Sequence, residues 1–250
     1  MPIRSSLLES ARCWLAQRRL RVRPWSELAG EKPLQGASLA IVGNAGYLAD
    51  LRQGPHIDSH DLVLRMNNFA AADLESHVGR RLDIFMSTFY RDVRLDDPRI
   101  AAARYLIASV PNNLRKRGLN WRHGQAITQA LEWLSRTEIF VPSCEHFETW
   151  RKRIGRYPTT GAMALLLALE HLLPVCGAIY VTGFSFFTGR SHYFSDQQVS
   201  PTNHAPDRER QWFAELLQPH WQSGRITLDP HLTASLGFRT THPNPLRGVA

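Results

Sequence analysis

His192 and His204 fall in polar stretches between a strand-like run, Ala178-Ile-Tyr-Val-Thr-Gly183, and an amphipathic helical pattern opening at Pro206. Imidazole is the side chain whose ordinary titration lies nearest neutrality, so either histidine could move a proton in a reaction or be a plain surface residue. A second set of candidates lies at Tyr157-Pro-Thr-Thr-Gly161. Pro158 disfavours helix in the residue before it, Thr159 and Thr160 are natural N-cap residues, and Gly161 has no side chain to keep a ligand away. The apolar run from Ala162 to Leu169 predicts a helix buried against a sheet, with its free N–H groups and positive dipole end at these residues. Such a start is either an anion site or an ordinary capped core helix.

The elements that must position these groups begin at residue 38. Ser38-Leu-Ala-Ile-Val42 is a short apolar run that stops at Gly43-Asn44-Ala45-Gly46, the kind of strand-to-glycine turn that lets backbone approach phosphate. The complete dinucleotide fingerprint is absent. Asp61 to Met66 predicts a second strand ending in Asn67-Asn68, and Leu82 to Met86 a third ending in Ser87-Thr88. Apolar strands that each terminate in small polar residues are the pattern of a parallel sheet whose carboxyl ends line a crevice. Each asparagine alone would equally suit a turn. Further strands are predicted at 105–110, 137–141 and 225–229, with helices over 125–136, 144–155 and from 206 onward. The stretch from Asn112 to Gly124 is a basic loop with one tryptophan, either solvated or suited to a phosphorylated acceptor.

Three segments result: a basic amphipathic arm and linker over 1–36, a catalytic domain over 37–232, and a tail over 233–250. The arm sets Ile3, Leu7, Leu8, Ala11, Trp14 and Leu15 on one helical face with arginines elsewhere, which suits either an anionic membrane surface or packing on the domain. Pro24, Gly30, Pro33 and Gly36 mark the linker.

Composition narrows the classes. The formal charge of +8 is carried by arginine, with lysine only at Lys32, Lys116 and Lys152, and is compatible with nucleic acid, anionic lipid or a phosphorylated substrate. Cys13, Cys144 and Cys176 have no metal-ligand spacing and are an odd number, against a complete disulfide framework. No uninterrupted membrane span or secretory signal is found, so a cytoplasmic protein is expected. No His, Cys or carboxylate set has metal-ligand spacing, so no metal or other cofactor is expected.

Taken together, these segments resemble the sialyltransferases of glycosyltransferase family 29. The long motif is matched by Ala40 to Gly46, Ile57-Asp-Ser-His60 and Val63 to Asn68, extending to Val78-Gly-Arg80. The short motif is matched by Tyr157 to Gly161 through Tyr180 to Phe184, the third motif by Ser191-His-Tyr-Phe194, and the very short motif by His204 with Glu209. The resemblance covers roughly residues 38–215 and implies a single-domain, variant GT-A-like α/β fold of Rossmann type with a mainly parallel sheet. It also implies a CMP-sugar donor used without metal. By motif, Asn44 and Asn67 would hold the donor nucleotide, and Tyr157, Thr159, Thr160 and Gly161 would form its pocket. Gly183 would pack close to the nucleotide, His192 would assist the departing phosphate, and His204 would be the base.

Two departures bear on this. The position that usually pairs with Cys176 is Leu39, so the family's secretory-pathway disulfide cannot form there, which points to a bacterial-type cytoplasmic member. Thr159 stands where serine is usual. The expected activity is inverting transfer of sialic acid from CMP-sialic acid to a glycan hydroxyl in surface-glycan assembly. A CMP-Kdo-dependent transferase is the alternative within the class, and a non-catalytic nucleotide or nucleic-acid module the alternative outside it. Expected partners are a CMP-sugar, a glycan or glycolipid acceptor and an anionic membrane at the inner face, with no nucleic acid.

Overall fold

The computed structural model describes residues 20–69, 72–90, 93–111, 119–195 and 203–239. Its framework is a parallel sheet of β1 (Arg21–Pro24), β2 (Ser38–Val42), β3 (Leu62–Met66), β4 (Ile84–Ser87), β5 (Tyr105–Ala108), β6 (Glu138–Val141), β7 (Ala178–Thr182) and β8 (Ile226–Leu228). The strand order is β1-β6-β5-β4-β3-β2-β7-β8, and every described pairing is parallel. The helices are α1 (Gly54–Asp58), α2 (Glu75–Val78), α3 (Pro98–Ala102), α4 (Leu119–Trp133), α5 (Cys144–Ile154), α6 (Thr160–Leu167), α7 (Pro206–Gln222) and α8 (Pro230–Ser235).

The continuous apolar strands follow from burial on both faces. Along β2, Leu39 and Ile41 enter the large core with α4, α5, α6 and α7. Ala40 and Val42 face a smaller cluster with Leu48, Ile57, Val78, Tyr180 and Tyr193. Successive strand side chains point to opposite faces, so one run of five residues serves two cores. In α6 every residue from Ala162 to Leu167 is buried, as its uniform apolarity predicts.

Strand order fixes where a ligand can sit. From β2 the chain adds β3, β4, β5 and β6 on one side, then crosses to place β7 on the other. The neighbours β2 and β7 therefore diverge in connection at their carboxyl ends, and a crevice opens at such a switch point.

The domain is larger than the expected 37–232. Residues 24–36, read as a linker, run through the fold: β1 pairs with β6, and Trp25, Leu28 and Leu34 are buried in the main core. Proline and glycine there shape two short 3-10 turns, Trp25–Gly30 and Lys32–Leu34, rather than a tether. At the other end, residues 233–239 are not a loose tail, because α8 continues to Ser235 and Leu236 and Phe238 pack on the core. The amphipathic arm over 1–19, residues 112–118 of the basic loop and residues 240–250 lie outside the described residues. No helix among the described residues is long and apolar enough to cross a membrane.

Candidate active site

The carboxyl ends of β2, β3 and β4 are tied together by the polar residues that end them. Asn44 donates its side-chain N–H to the Met66 carbonyl at 3.0 Å. Asn67 sits in a left-handed conformation (φ +49°), which asparagine tolerates better than most residues. From there its Nδ2 donates to Thr160 Oγ1 at 3.1 Å, and its Oδ1 accepts from Ser87 Oγ at 3.2 Å. The strand ends are thereby joined to the N-terminus of α6. Asn44 Oδ1 is buried without a partner. An orphaned buried acceptor costs about 1–3 kcal/mol, and here it offers an oxygen to an incoming N–H or O–H.

Thr159 serves as the N-cap of α6, its hydroxyl accepting from the Ala162 N–H at 2.9 Å. Its own N–H and hydroxyl both donate to the carboxylate of Glu209 on α7, at 2.8 Å each. Glu209 is 2% exposed, and burial pushes its carboxyl up to about 7, against the opposing effect of those two bonds. Thr159 is thus saturated by its cap and clamp, so of the two threonines Thr160 is the one turned to the strand ends. A Cβ at Gly161 would lie 3.1 Å from the Phe184 ring, which would have to give by a few tenths of an ångström.

His204 stands beside this turn. Its Nδ1 lies 2.7 Å from the Tyr157 carbonyl, an acceptor only, so in neutral imidazole Nδ1 carries the proton and Nε2 is left with a free lone pair. Tyr157 is 38% exposed, its ring backed by Phe147 and by the Arg151 guanidinium 5.7 Å from its centroid. His192 lies near the carboxyl end of β2. The Tyr193 N–H beside it donates to the Asn44 carbonyl at 3.1 Å, and its ring stacks on Phe194 with centroids 5.0 Å apart. Burial holds the His192 imidazole below its usual range. Alone, it favours the neutral form, and a neighbouring phosphate would have to reverse that preference for it to donate a proton.

The glycines of the strand ends are used by the chain itself. A Cβ on Gly43 would meet the Gly183 carbonyl at 2.1 Å, and one on Gly183 would meet Gly43 O and Leu48, both at 2.7 Å. Gly183 also has φ +81°, natural only to glycine. These two residues form a backbone seam between β2 and β7, and Gly46 makes room for Arg190 in the same way. Tyr47 locks the seam. Its hydroxyl accepts from the N–H groups of Gly183 and Phe184 (2.8 and 3.2 Å) and donates to Asp229 Oδ2 (2.6 Å). Burial and the Asp229 carboxylate hold the phenol well above its ordinary range, so it stays a donor.

Sequence reasoning overlooked Tyr47, Asp229 and Arg65. Nothing in the residues around Tyr47 signals its role. Asp229 before Pro230 is a readable helix start, and it does cap α8 through Leu232 N–H at 2.8 Å. Arg65 was visible as a lone charge in an apolar strand. It is 1% exposed and donates to the carbonyls of Val78 and Arg81, both at 2.7 Å, so it ties β3 to the segment after α2.

The β2/β7 switch point, with the capped N-terminus of the buried helix α6 tied to the strand ends, is the place where an open α/β sheet of this class binds its ligand. Residues 20–93 and 118–220 match the family model described as glycosyltransferase family 29 (sialyltransferase), and the chain belongs to that family. It is 28% identical over 176 residues to CMP-N-acetylneuraminate-beta-galactosamide-alpha-2,3-sialyltransferase 1 of Gallus gallus, a match covering 64% of this chain and 48% of that protein. The Homo sapiens protein of the same name is 28% identical over 179 residues, with the same coverage. The chain spans about half the length of the curated relatives it matches. A crystal structure of a mammalian sialyltransferase in complex with Gal-beta-1-3GalNAc-ortho-nitrophenol shares the fold, with TM-score 0.50 and 21% identity, covering 76% of this chain and 68% of that one. The GT-A-like α/β fold expected from the motifs is the one observed.

Proposed function

We propose that this chain is an inverting sialyltransferase that moves sialic acid from CMP-sialic acid to a hydroxyl of a glycan acceptor. The observation that carries the reading is the His204 contact: with Nδ1 given to the Tyr157 carbonyl, Nε2 is the atom free to take the acceptor's proton. The unpartnered Asn44 Oδ1 and the Asn67–Thr160 pair at the strand ends suit the donor nucleotide. His192, whose neighbour Tyr193 bonds the Asn44 carbonyl at the end of β2, suits the departing phosphate, where a proton or positive charge stabilises the leaving CMP. The relatives' names specify alpha-2,3-sialyltransferases acting on beta-galactosamides, which makes a terminal β-galactoside the first acceptor to try.

Catalysis without metal belongs to the same proposal, since the two histidines and the helix N-terminus can supply the proton transfers and charge stabilisation. Turnover should survive a strong chelator, and activity lost to the chelator and restored by a divalent ion would refute this part. A reducing, cytoplasmic setting belongs to the same proposal, supported by Cys176 being a buried free thiol while Leu39 is buried in β2. The arm's place at an anionic membrane face is a separate part, which rests on its sequence pattern alone. The deciding experiment offers CMP-sialic acid, CMP-Kdo and other CMP-sugars with β-galactoside acceptors, and follows CMP release and product mass. Transfer from CMP-sialic acid is expected. Steeply salt-dependent nucleic-acid binding with no CMP-sugar consumed would overturn the reading.

A further inference from the structure

The loop after β7 carries two consecutive phenylalanines in a backbone conformation that bulky residues avoid. Phe186 and Phe187 have φ of +48° and +60°, where Cβ crowds the neighbouring carbonyl. The turn is held closed by Thr188, whose N–H and hydroxyl both donate to the Ser185 carbonyl at 2.9 and 2.6 Å. Strain that the surroundings hold in place points to a use for the side chains it aims. Phe186 packs on the main core. Phe187 instead lies near-parallel to the His204 imidazole, with 20° between the planes and 6.3 Å between centroids, and both rings remain partly exposed.

We propose that Phe187 is the platform on which the acceptor sugar docks, a specificity-determining residue that sets the acceptor hydroxyl against Nε2 of His204. The proposal rests on the transferase reading above. A base must stand about 2.6–3.2 Å from the oxygen it deprotonates, so the sugar bearing that hydroxyl lies within one ring's width of the imidazole. An aromatic face 6.3 Å from the imidazole centre is within reach of a sugar held at that distance. A pyranose presents one face made largely of C–H bonds, positively polarised, and the electron-rich face of phenylalanine matches it while leaving the sugar's hydroxyls to water. The strained backbone is what turns this ring from the core to the base.

Three variants and one binding measurement test the idea. Phe187→Gly relieves the backbone strain and should melt no lower than the parent, yet raise the acceptor KM tenfold or more. Its KM for CMP-sialic acid and its slow hydrolysis of that donor by water should stay unchanged. Phe187→Leu keeps the bulk and the strain without the π face and should show the same acceptor loss, whereas Phe187→Trp should restore most of it. A folded Phe187→Gly or Phe187→Leu protein with acceptor KM within twofold of the parent overturns the platform, as do donor and acceptor KM rising together. Independently of turnover, titrating the parent with methyl β-galactoside should shift the ring protons of Phe187 and of His204 in NMR, and no shift overturns the proposal. Docking seen by NMR without transfer from any CMP-sugar would leave the platform standing and remove the transferase reading.

Discussion

A single hydrogen bond fixes the tautomer of neutral His204: its Nδ1–H donates to the Tyr157 carbonyl and leaves the Nε2 lone pair available for the proposed base role. His204→Ala should therefore lower kcat by ~10²-fold or more, the scale of general base catalysis, while CMP still binds in calorimetry. Near-normal turnover in that variant would remove His204 from the mechanism. Glu209 acts one contact further back, clamping Thr159 from a fully buried position. Its carboxyl titrates at about 7 in the folded chain, above the ordinary carboxylate range, so between pH 4.5 and 7 the native state holds a proton that the unfolded chain has lost. Stability from this group is full at low pH and declines as pH rises through 7. Glu209→Gln is neutral throughout and should remove that decline, gaining relative to the parent on the order of 3 kcal/mol between pH 4.5 and pH 8. Denaturant midpoints for the two proteins that stay parallel across this range would refute the assignment. The pairing of His204 with Glu209 was legible as a motif in the sequence, but the partner of Glu209 was not, because a contact across 50 residues depends on how α7 lies against α6.

At the level of elements, the site depends on β2 and β7 closing on each other through Gly43 and Gly183, with Tyr47 and Asp229 holding the seam. Tyr47→Phe removes an oxygen that serves two N–H groups and leaves the Asp229 carboxylate, 0% exposed, short of its best donor. The expected cost is about 1–3 kcal/mol, seen as a lower urea midpoint at unchanged slope. An unchanged midpoint would mean that water replaces the hydroxyl and that the seam does not rely on it. The strands of this seam were readable because buried parallel strands are apolar throughout. The use of the glycines was not, since a missing side chain looks the same whether ligand or backbone fills the space. β1 escaped notice for a different reason: Arg21-Val-Arg-Pro has exposed or half-exposed residues throughout, as an edge strand allows, and Pro24 is tolerated only at such an edge.

For the molecule as a whole, the question is where the domain starts. Sequence pattern put the boundary at 37, but Arg23 binds Glu27, Glu31 and Glu138 at once, its guanidinium 4.5 Å from the Phe140 ring, and so fastens β1 and the following turn to β6. Trp25, Leu28 and Leu34, at 2%, 0% and 0% exposure, fill the core beneath. Burying three such side chains is worth on the order of 5 kcal/mol, comparable with the whole net stability of a domain of this kind. Removing residues 1–36 should therefore abolish cooperative melting and leave β6 as a bare edge prone to aggregation. Removing residues 1–19 keeps β1 and should preserve both the melting transition and turnover on a soluble acceptor. The same shorter truncation tests the arm, whose basic and apolar faces suit an anionic surface. Full-length chain should co-sediment with anionic vesicles at low salt and the 1–19 deletion should not. Retained sedimentation would place the lipid contact on the arginine-rich domain itself, and loss of cooperative melting in the shorter truncation would show that the arm packs on the domain and belongs to its core.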